Sequence, residues 1–223
     1  MVSQEASRQP TPSSALTQAS TPTATRRKSP STAIIATNRF LIRPFEESDA
    51  AGLASTANDV DISRWMRSRF PSPYTLQDAE WWIAHCRSGQ PPAMLNFGIF
   101  TLDSEEDDEE EGGFEQHAGS VGLEQPKDDV VYAGTRELGY YMAKRCRGKG
   151  IMTEAVREFT RWAFAYLPDL LRIEAHVHEE NEASQRVLTK AGFVREGTRR
   201  MAFAKHGKVS GEHIFGLIRS DLD

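Results

Sequence analysis

Arg145–Val156 reads RCRGKGIMTEAV, three basic side chains and two glycines ahead of a helix-like run. Residues of these types at this spacing suit an anion. A helix N-terminus offers unpaired N–H groups and the positive end of its dipole. Gly148 and Gly150 carry no side chain, so a phosphate oxygen can approach the backbone closely. Arg145, Arg147 and Lys149 add positive charge. A basic turn that merely starts a helix would look the same, and the loop alone does not separate the two readings. Two common phosphate motifs fail here. GKGIMT lacks the Gly-Lys-Ser/Thr ending of a P-loop. Thr153 stands where a dinucleotide fingerprint has its third glycine, and the site falls late in the chain.

Other residues nearby could move protons. Glu137, in RELGYYM just before the loop, is a candidate general base; an exposed strand charge or a structural ion pair is the plainer reading. Glu124, on the preceding strand, is a weaker substitute. His176 and His178 form HVH, which places both on one face of a strand. No cysteine or further histidine completes a metal set beside them, so they read as strand surface or cleft lining. Cys146 adjoins the helix start and reads as a bystander. Trp65, Trp81 and Trp82 suit either a cleft wall or a core.

Elements to hold these residues can be read from periodicity. RFLIRPF, after Asn38, alternates as a strand and breaks at Pro44. Ser48 or Asp49 is placed to cap a helix running through Ala57. Thr75–Arg87 is helical, with Leu76, Ala79, Trp82 or Ile83, and Cys86 as its apolar stripe. Ala93–Leu102, Gly119–Glu124 and Glu137–Lys144 read as strands. Ile151–Leu167 has the clearest helical spacing, in Ile151, Ala155, Phe159, Trp162 and Tyr166, and Pro168 stops it. Leu171–His178 alternates again. Asn181–Ala191 is a helix closed by Gly192. Phe193–Glu196, Met201–Lys205 and Glu212–Arg219 follow as strands. The whole is a mixed α/β (α+β) domain large enough for a core.

Composition sets the bounds. The chain has 223 residues and a formal net charge of -5. Asp103–Glu115 holds nine acidic residues and no basic ones, and without them the rest would carry +4. An acidic loop insert over 103–117 is therefore expected, more often a solvated run than a device for steering basic acceptors. Residues 1–33 are rich in Ser, Thr and Pro and read as a disordered tail, with a short basic cluster at TRRKSP. The domain proper is 34–223. No stretch is apolar enough to span a membrane, and no secretory signal is visible. Cys86 and Cys146 make no disulfide framework. A cytoplasmic protein is expected, with a nuclear one also compatible. Basic residues are not interleaved with aromatics, so no nucleic-acid partner is expected.

RGKGIM, Arg147–Met152, matches the Arg/Gln-x-x-Gly-x-Gly/Ala signature of the GNAT (Gcn5-related) acyl-CoA N-acyltransferases, except that Met152 replaces the final small residue. ELGYYMAKRCRGKGIMTEAVREFTRWAF resembles the branch that contains ribosomal-protein-alanine N-acetyltransferases. NEASQRVLTKAGFVREG, Asn181–Gly197, resembles that branch's second cofactor helix and following strand, and RFLIRPFEESDA its opening. The resemblance runs from about Asn38 to the C-terminus.

That resemblance implies a mostly antiparallel sheet flanked by helices, with central strands splayed around acyl-CoA. It implies direct acetyl transfer from acetyl-CoA to an amine acceptor, a protein N-terminus or a small amine, in a monomer or homodimer. The pyrophosphate would lie on Arg147, Gly148, Lys149, Gly150, Ile151, Met152 and Thr153. A backbone N–H near Tyr141 or Met142 would polarise the thioester carbonyl. Many members protonate the leaving thiolate with a tyrosine on the second helix; Leu188 occupies that position here. Ser184, one helical turn earlier, corresponds to a serine proposed as thiol partner, and Asn181 either bonds the pantetheine or caps its helix. The missing tyrosine is what an alternative reading, a catalytically degenerate acyl-CoA-binding regulatory module, would rest on.

Overall fold

The computed structural model describes residues 32–88, 94–103, 114–125, 130–205 and 207–222. A short strand, β1 (Ile35–Ala36), pairs antiparallel with β2 (Phe40–Arg43). Order thus starts before Asn38, because Ile35 and Ala36 find partners in Ile42 and Leu41. The expected tail, TRRKSP included, lies outside the described residues apart from its last two.

Three helices follow, α1 (Ala50–Ala57), α2 (Val60–Ser63) and α3 (Leu76–Ser88). Asp49 stands at the N-cap of α1 but makes no side-chain cap bond. Its carboxylate instead takes the buried Arg43 guanidinium at 2.8 and 2.9 Å and the Glu46 N–H at 2.7 Å. A bidentate pair with a desolvated arginine outweighs one cap bond. In α3, Ala79 and Ile83 are buried as the stripe requires, whereas Leu76 in the first turn is exposed.

The sheet continues with β3 (Met94–Asp103), β4 (Phe114–Glu124) and β5 (Thr135–Met142), and after α4 (Ile151–Tyr166) with β6 (Arg172–His178). Helix α5 (Glu182–Lys190) leads to β7 (Val194–Lys205) and β8 (Lys208–Ile218). The eight strands lie in the order β1-β2-β3-β4-β5-β6-β8-β7, antiparallel everywhere except β5-β6. The separate strands expected at Phe193–Glu196 and Met201–Lys205 are one strand, kept in register with β8 by irregularities between Arg195 and Gly197 and between Arg199 and Phe203. Extra residues inserted on one strand break the period-2 pattern without ending the pairing.

The ends of the expected acidic insert, 103–117, fall on described residues and belong to strands. Asp103 belongs to β3, and 114–117 belong to β4; 104–113 lie outside the described residues. Glu115 is a buried partner of Arg43, whose Nε donates to it at 2.9 Å.

Two cores flank the sheet. On one face, α4 sets Ile151, Met152, Ala155 and Phe159 against Phe97, Val121, Leu138 and Met142. Trp162 only partly enters this core, and Tyr166 is exposed. On the other face, α1 and α3 enclose Phe45, Leu53, Ala79 and Ile83, with Tyr141 packed against them. Successive β5 side chains therefore serve opposite faces: Leu138, Tyr140 and Met142 the α4–α5 side, Glu137 and Tyr141 the α1–α3 side.

Candidate active site

The site grows out of one parallel pairing that stops early. β5 and β6 share register at Thr135 with Arg172, Arg136 with Ile173 and Glu137 with Glu174, and at no residue beyond. From there β5 runs on for five residues against β4 alone, while β6 runs on for four against β8 alone. The two strands diverge and leave a cleft. Its β5 wall carries backbone groups that no strand pairs. The Gly134 carbonyl faces the start of β6, the Ala143 N–H faces β4, and Met142 O accepts from Arg147 at 3.1 Å. Alternation along the strand then turns the N–H groups of Tyr140 and Met142 into the cleft and that of Tyr141 toward β4. β4 stays close to β5 here because Gly119 has no Cβ; one would stand 2.3 Å from Tyr141 O.

At the cleft's wide end, β5 passes through a 3-10 turn, Lys144–Cys146, into the glycine loop and α4. The strand expected to reach Lys144 ends at Met142, since the chain must turn there. Gly148 and Gly150 both have left-handed backbone conformations, φ 77 and 78. A Cβ at either would meet nothing within 4 Å, so backbone conformation and not crowding demands glycine. Glu154 N is the first in α4 to bond inside the helix, to Gly150 O at 3.1 Å. The N–H groups of Ile151, Met152 and Thr153 are left over, and the Gly150 cap has no side chain to satisfy them. Ile151 and Met152 are buried, so their side chains point into the core while their N–H groups stay with the loop. That accommodates a methionine where a small residue is usual. Gly148, Lys149 and Gly150 are exposed.

The loop's cations divide their duties. Lys149 has no ion-pair partner among the described residues. Arg145 donates to His117 O at 2.6 Å, which ties the loop to β4. Arg147 donates to Met142 O and also to Asp59 at 2.7 Å, with Asp61 at 3.5 Å. Arg39 bonds the Lys149 carbonyl and pairs with Glu154 at 2.9 Å. Among the expected pyrophosphate residues, Arg147 is thus already engaged.

Asp59 and Asp61 open a strap that crosses the α1–α3 side of the cleft. Asp59 caps α2 by accepting the Asp61 N–H at 2.8 Å. Beyond α2, Trp65 meets the His178 ring edge-on, with centroids 5.7 Å apart. Lys205 of β7 bonds the carbonyls of Ser63 and Met66. Arg67 then reaches Glu137, and Arg69 reaches Glu124. The two candidate bases are neighbours, since Glu124 pairs with Glu137 across β4-β5. Trp82 packs into the smaller core, and Trp81 is exposed and stacked on His85, so only Trp65 of the three tryptophans touches β6. His176 sits between Glu212 at 3.1 Å and Glu174 at 3.4 Å. No group of three potential metal ligands occurs among the described residues.

On the other side of the cleft, Asn181 caps α5 by accepting the Ser184 N–H at 3.2 Å, the plainer of its two expected roles. Leu188 is fully buried in the main core. Ser184 Oγ lies 2.7 Å from the hydroxyl of Tyr140. Sequence reasoning missed this contact, as it missed the strap. Its partners lie 44 residues apart, and no local pattern joins them.

The acetyltransferase (GNAT) domain family matches residues 39–194. This chain belongs to the GNAT acetyltransferase family. It is 32% identical over 184 residues to the probable N-acetyltransferase YjcK of Bacillus subtilis, covering 81% of this chain and 94% of that protein. Among solved structures, a RimL ribosomal alpha-N-protein acetyltransferase in complex with coenzyme A superposes with a TM-score of 0.70 at 16% identity, covering 86% of this chain and 99% of that one. The ribosomal-protein-S5-alanine acetyltransferase of Vibrio fischeri gives 0.65 at 22%, with 86% and 99% covered. The GNAT fold accounts for the eight-stranded sheet and its flanking helices, and the protein is an N-acetyltransferase of this type. No helix among the described residues is long and apolar enough to cross a membrane.

Proposed function

We propose that this GNAT enzyme takes its acetyl group from acetyl-CoA, bound in the β5-β6 cleft, and passes it to an amine, a protein N-terminus or a small molecule. The observation that carries the reading is the early end of the β5-β6 pairing beside a loop with two left-handed glycines. The loop fits a pyrophosphate: its glycines are exposed, its first helix N–H groups have no partner within the helix, and Lys149 has no ion-pair partner among the described residues. The regulatory-module alternative rests on the tyrosine missing at Leu188, and none of the matched relatives supports it.

In this reading the amine nitrogen attacks the thioester carbonyl carbon directly. The carbon–sulfur bond breaks, its electron pair stays on sulfur, and the amine gives up a proton. Met142 supports the carbonyl oxygen through a cleft-facing N–H, a donor fixed before reaction. Tyr141, whose N–H faces β4, contributes its side chain to the wall instead. Glu137 takes the amine proton, directly or through water, on the face that the strap crosses. Arg67 must give way as the amine arrives. Ser184 donates a hydrogen bond to the leaving sulfur. Asn181 holds the turn that positions Ser184.

A relative named for ribosomal N-acetyltransferase activity, YdaF of Bacillus subtilis, is 41% identical over 87 residues, 39% of this chain. This supports a ribosomal acceptor, and a protein N-terminus is the amine to try first on chemical grounds. An α-amino group has a pKa of about 7.7–8.0, against about 10.4 for lysine, so it needs little help to lose its proton. The test is thiol release from acetyl-CoA with three peptides: free N-terminus, blocked N-terminus with free lysine, and both blocked. Release with the first alone supports N-terminal transfer. Release with the second alone, or only with small amines, moves the acceptor class. No release with any amine contradicts the reading.

A further inference from the structure

Leu188 is buried and carries no hydroxyl, so α5 presents no phenol to the cleft at that position. A phenol nevertheless reaches the cleft from the strand. Tyr140 lies on the part of β5 that has left β6, and its side chain takes the α5 side of the sheet. Its hydroxyl stands 2.7 Å from Ser184 Oγ and 3.3 Å from the Ser184 backbone oxygen. No other side-chain partner for either hydroxyl occurs among the described residues.

The direction of that bond has a chemical consequence. Desolvation by burial pushes the Tyr140 phenol well above its ordinary range, with the Ser184 contact opposing it weakly. The phenol therefore stays neutral and keeps its one proton to donate. That single proton has two acceptors on α5, and Ser184 Oγ at 2.7 Å is the closer of them, the Ser184 carbonyl standing at 3.3 Å. With Tyr140 donating, Ser184 Oγ is the acceptor, and the serine's own proton is free to point elsewhere.

Resting on the reading of the cleft as the acyl-CoA site, we infer that Tyr140 is a positioning residue that fixes Ser184 as acceptor toward the strand, so that the serine O–H donates to the sulfur of coenzyme A. The chain phenol–serine–thiolate places two polarised O–H bonds in line, each strengthening the next. Proton transfer from Tyr140 itself is not required, which suits a phenol that holds its proton tightly.

The thiol of bound coenzyme A reports this directly, with no acceptor needed. Its pKa in complex with the full chain is read from the ultraviolet absorbance of the thiolate, for wild type, Tyr140→Phe, Ser184→Ala and the double variant. Each single variant should raise the bound thiol's pKa by about one unit, a tenfold loss of thiolate at a given pH. The double variant should rise no further, because one residue acts through the other. Affinity for coenzyme A should change less than about threefold, since the bond is to the sulfur alone. A wild-type thiol pKa in Tyr140→Phe would overturn the inference, as would full additivity with Ser184→Ala. If Tyr140→Phe does not fold, an unchanged thiol pKa in Ser184→Ala overturns it alone. Absence of coenzyme A binding by folded wild-type protein would instead overturn the cleft reading on which it rests.

Discussion

Arg147 turns its guanidinium onto Asp59, at 2.7 Å, and so joins the glycine loop to the strap over the other side of the cleft. Its Nε also holds the last carbonyl of β5, so one side chain links strand, loop and strap. If this tie is its main duty, Arg147→Ala and Asp59→Asn should weaken acetyl-CoA binding alike, roughly two- to fivefold, as suits a partly exposed ion pair. The double variant should be no worse than either single one. Calorimetric titration checks this. A loss confined to Arg147→Ala would make the arginine a direct phosphate ligand.

Glu137→Gln should lower kcat by about 10²-fold, the low end of the usual range for loss of a positioned base, since an α-amino acceptor is already partly neutral. The loss should be greatest at low pH, where the acceptor amine is protonated, and should shrink above the amine's own pKa. A pH–rate profile of both proteins decides it. A variant with wild-type rate and profile would reduce Glu137 to the partner of Arg67.

His117 gives the protein an acid weakness. Its ring is fully buried against Phe45, Phe100 and Tyr141, and neither nitrogen makes a well-formed hydrogen bond among the described residues. Burial pushes its pKa from 6.5 down to about 3; the charges of Arg145 and Arg43 add to this, and Asp49 opposes it. The unfolded chain then takes up a proton that the folded protein refuses. Stability from this site is full above pH 6.5 and is lost as pH falls toward 3, by at most about 5 kcal/mol. Thermal melts across that window should show a shallower decline for His117→Leu than for wild type. Parallel declines would place the acid sensitivity elsewhere.

Backbone conformation makes opposite predictions at two residues. Gly150→Ala should cost about 1 kcal/mol, since φ 78 is unfavourable for any Cβ and no packing compensates. Met201 has φ 51 and is 79% exposed, so Met201→Asn should stabilise by about 0.5 kcal/mol. Melting temperatures should move about 2–4 °C down in the first case and one or two degrees up in the second. A rise for Gly150→Ala or a fall for Met201→Asn would contradict these assignments.

What could be read in the sequence follows the range of the interactions. α4 was legible because Ile151, Ala155 and Phe159 repeat every four residues and share one buried face. The glycine loop was legible because its backbone conformation needs glycine at two fixed positions. Glu115 was misjudged, since a charge run reads as solvated until its buried partner Arg43, 72 residues away, is known. The strap escaped for a similar reason. α2 is a single turn, and what holds the strap in place, Arg67 on Glu137, Lys205 on Ser63 and Met66, is contact between distant parts of the chain. Tyr140 looked like ordinary strand because nothing nearby marks its reach to Ser184.

The central claim is that the loop at Gly148–Gly150 holds an acyl-CoA. Calorimetric titration of the purified full chain with acetyl-CoA, with ATP and NAD as controls, tests it most directly when wild type and Gly150→Glu are measured side by side. The account predicts selective, saturable binding of acetyl-CoA by wild type and none by folded Gly150→Glu, whose carboxylate would occupy the anion site. Equal affinity in the two proteins, or no binding by folded wild type, would contradict it.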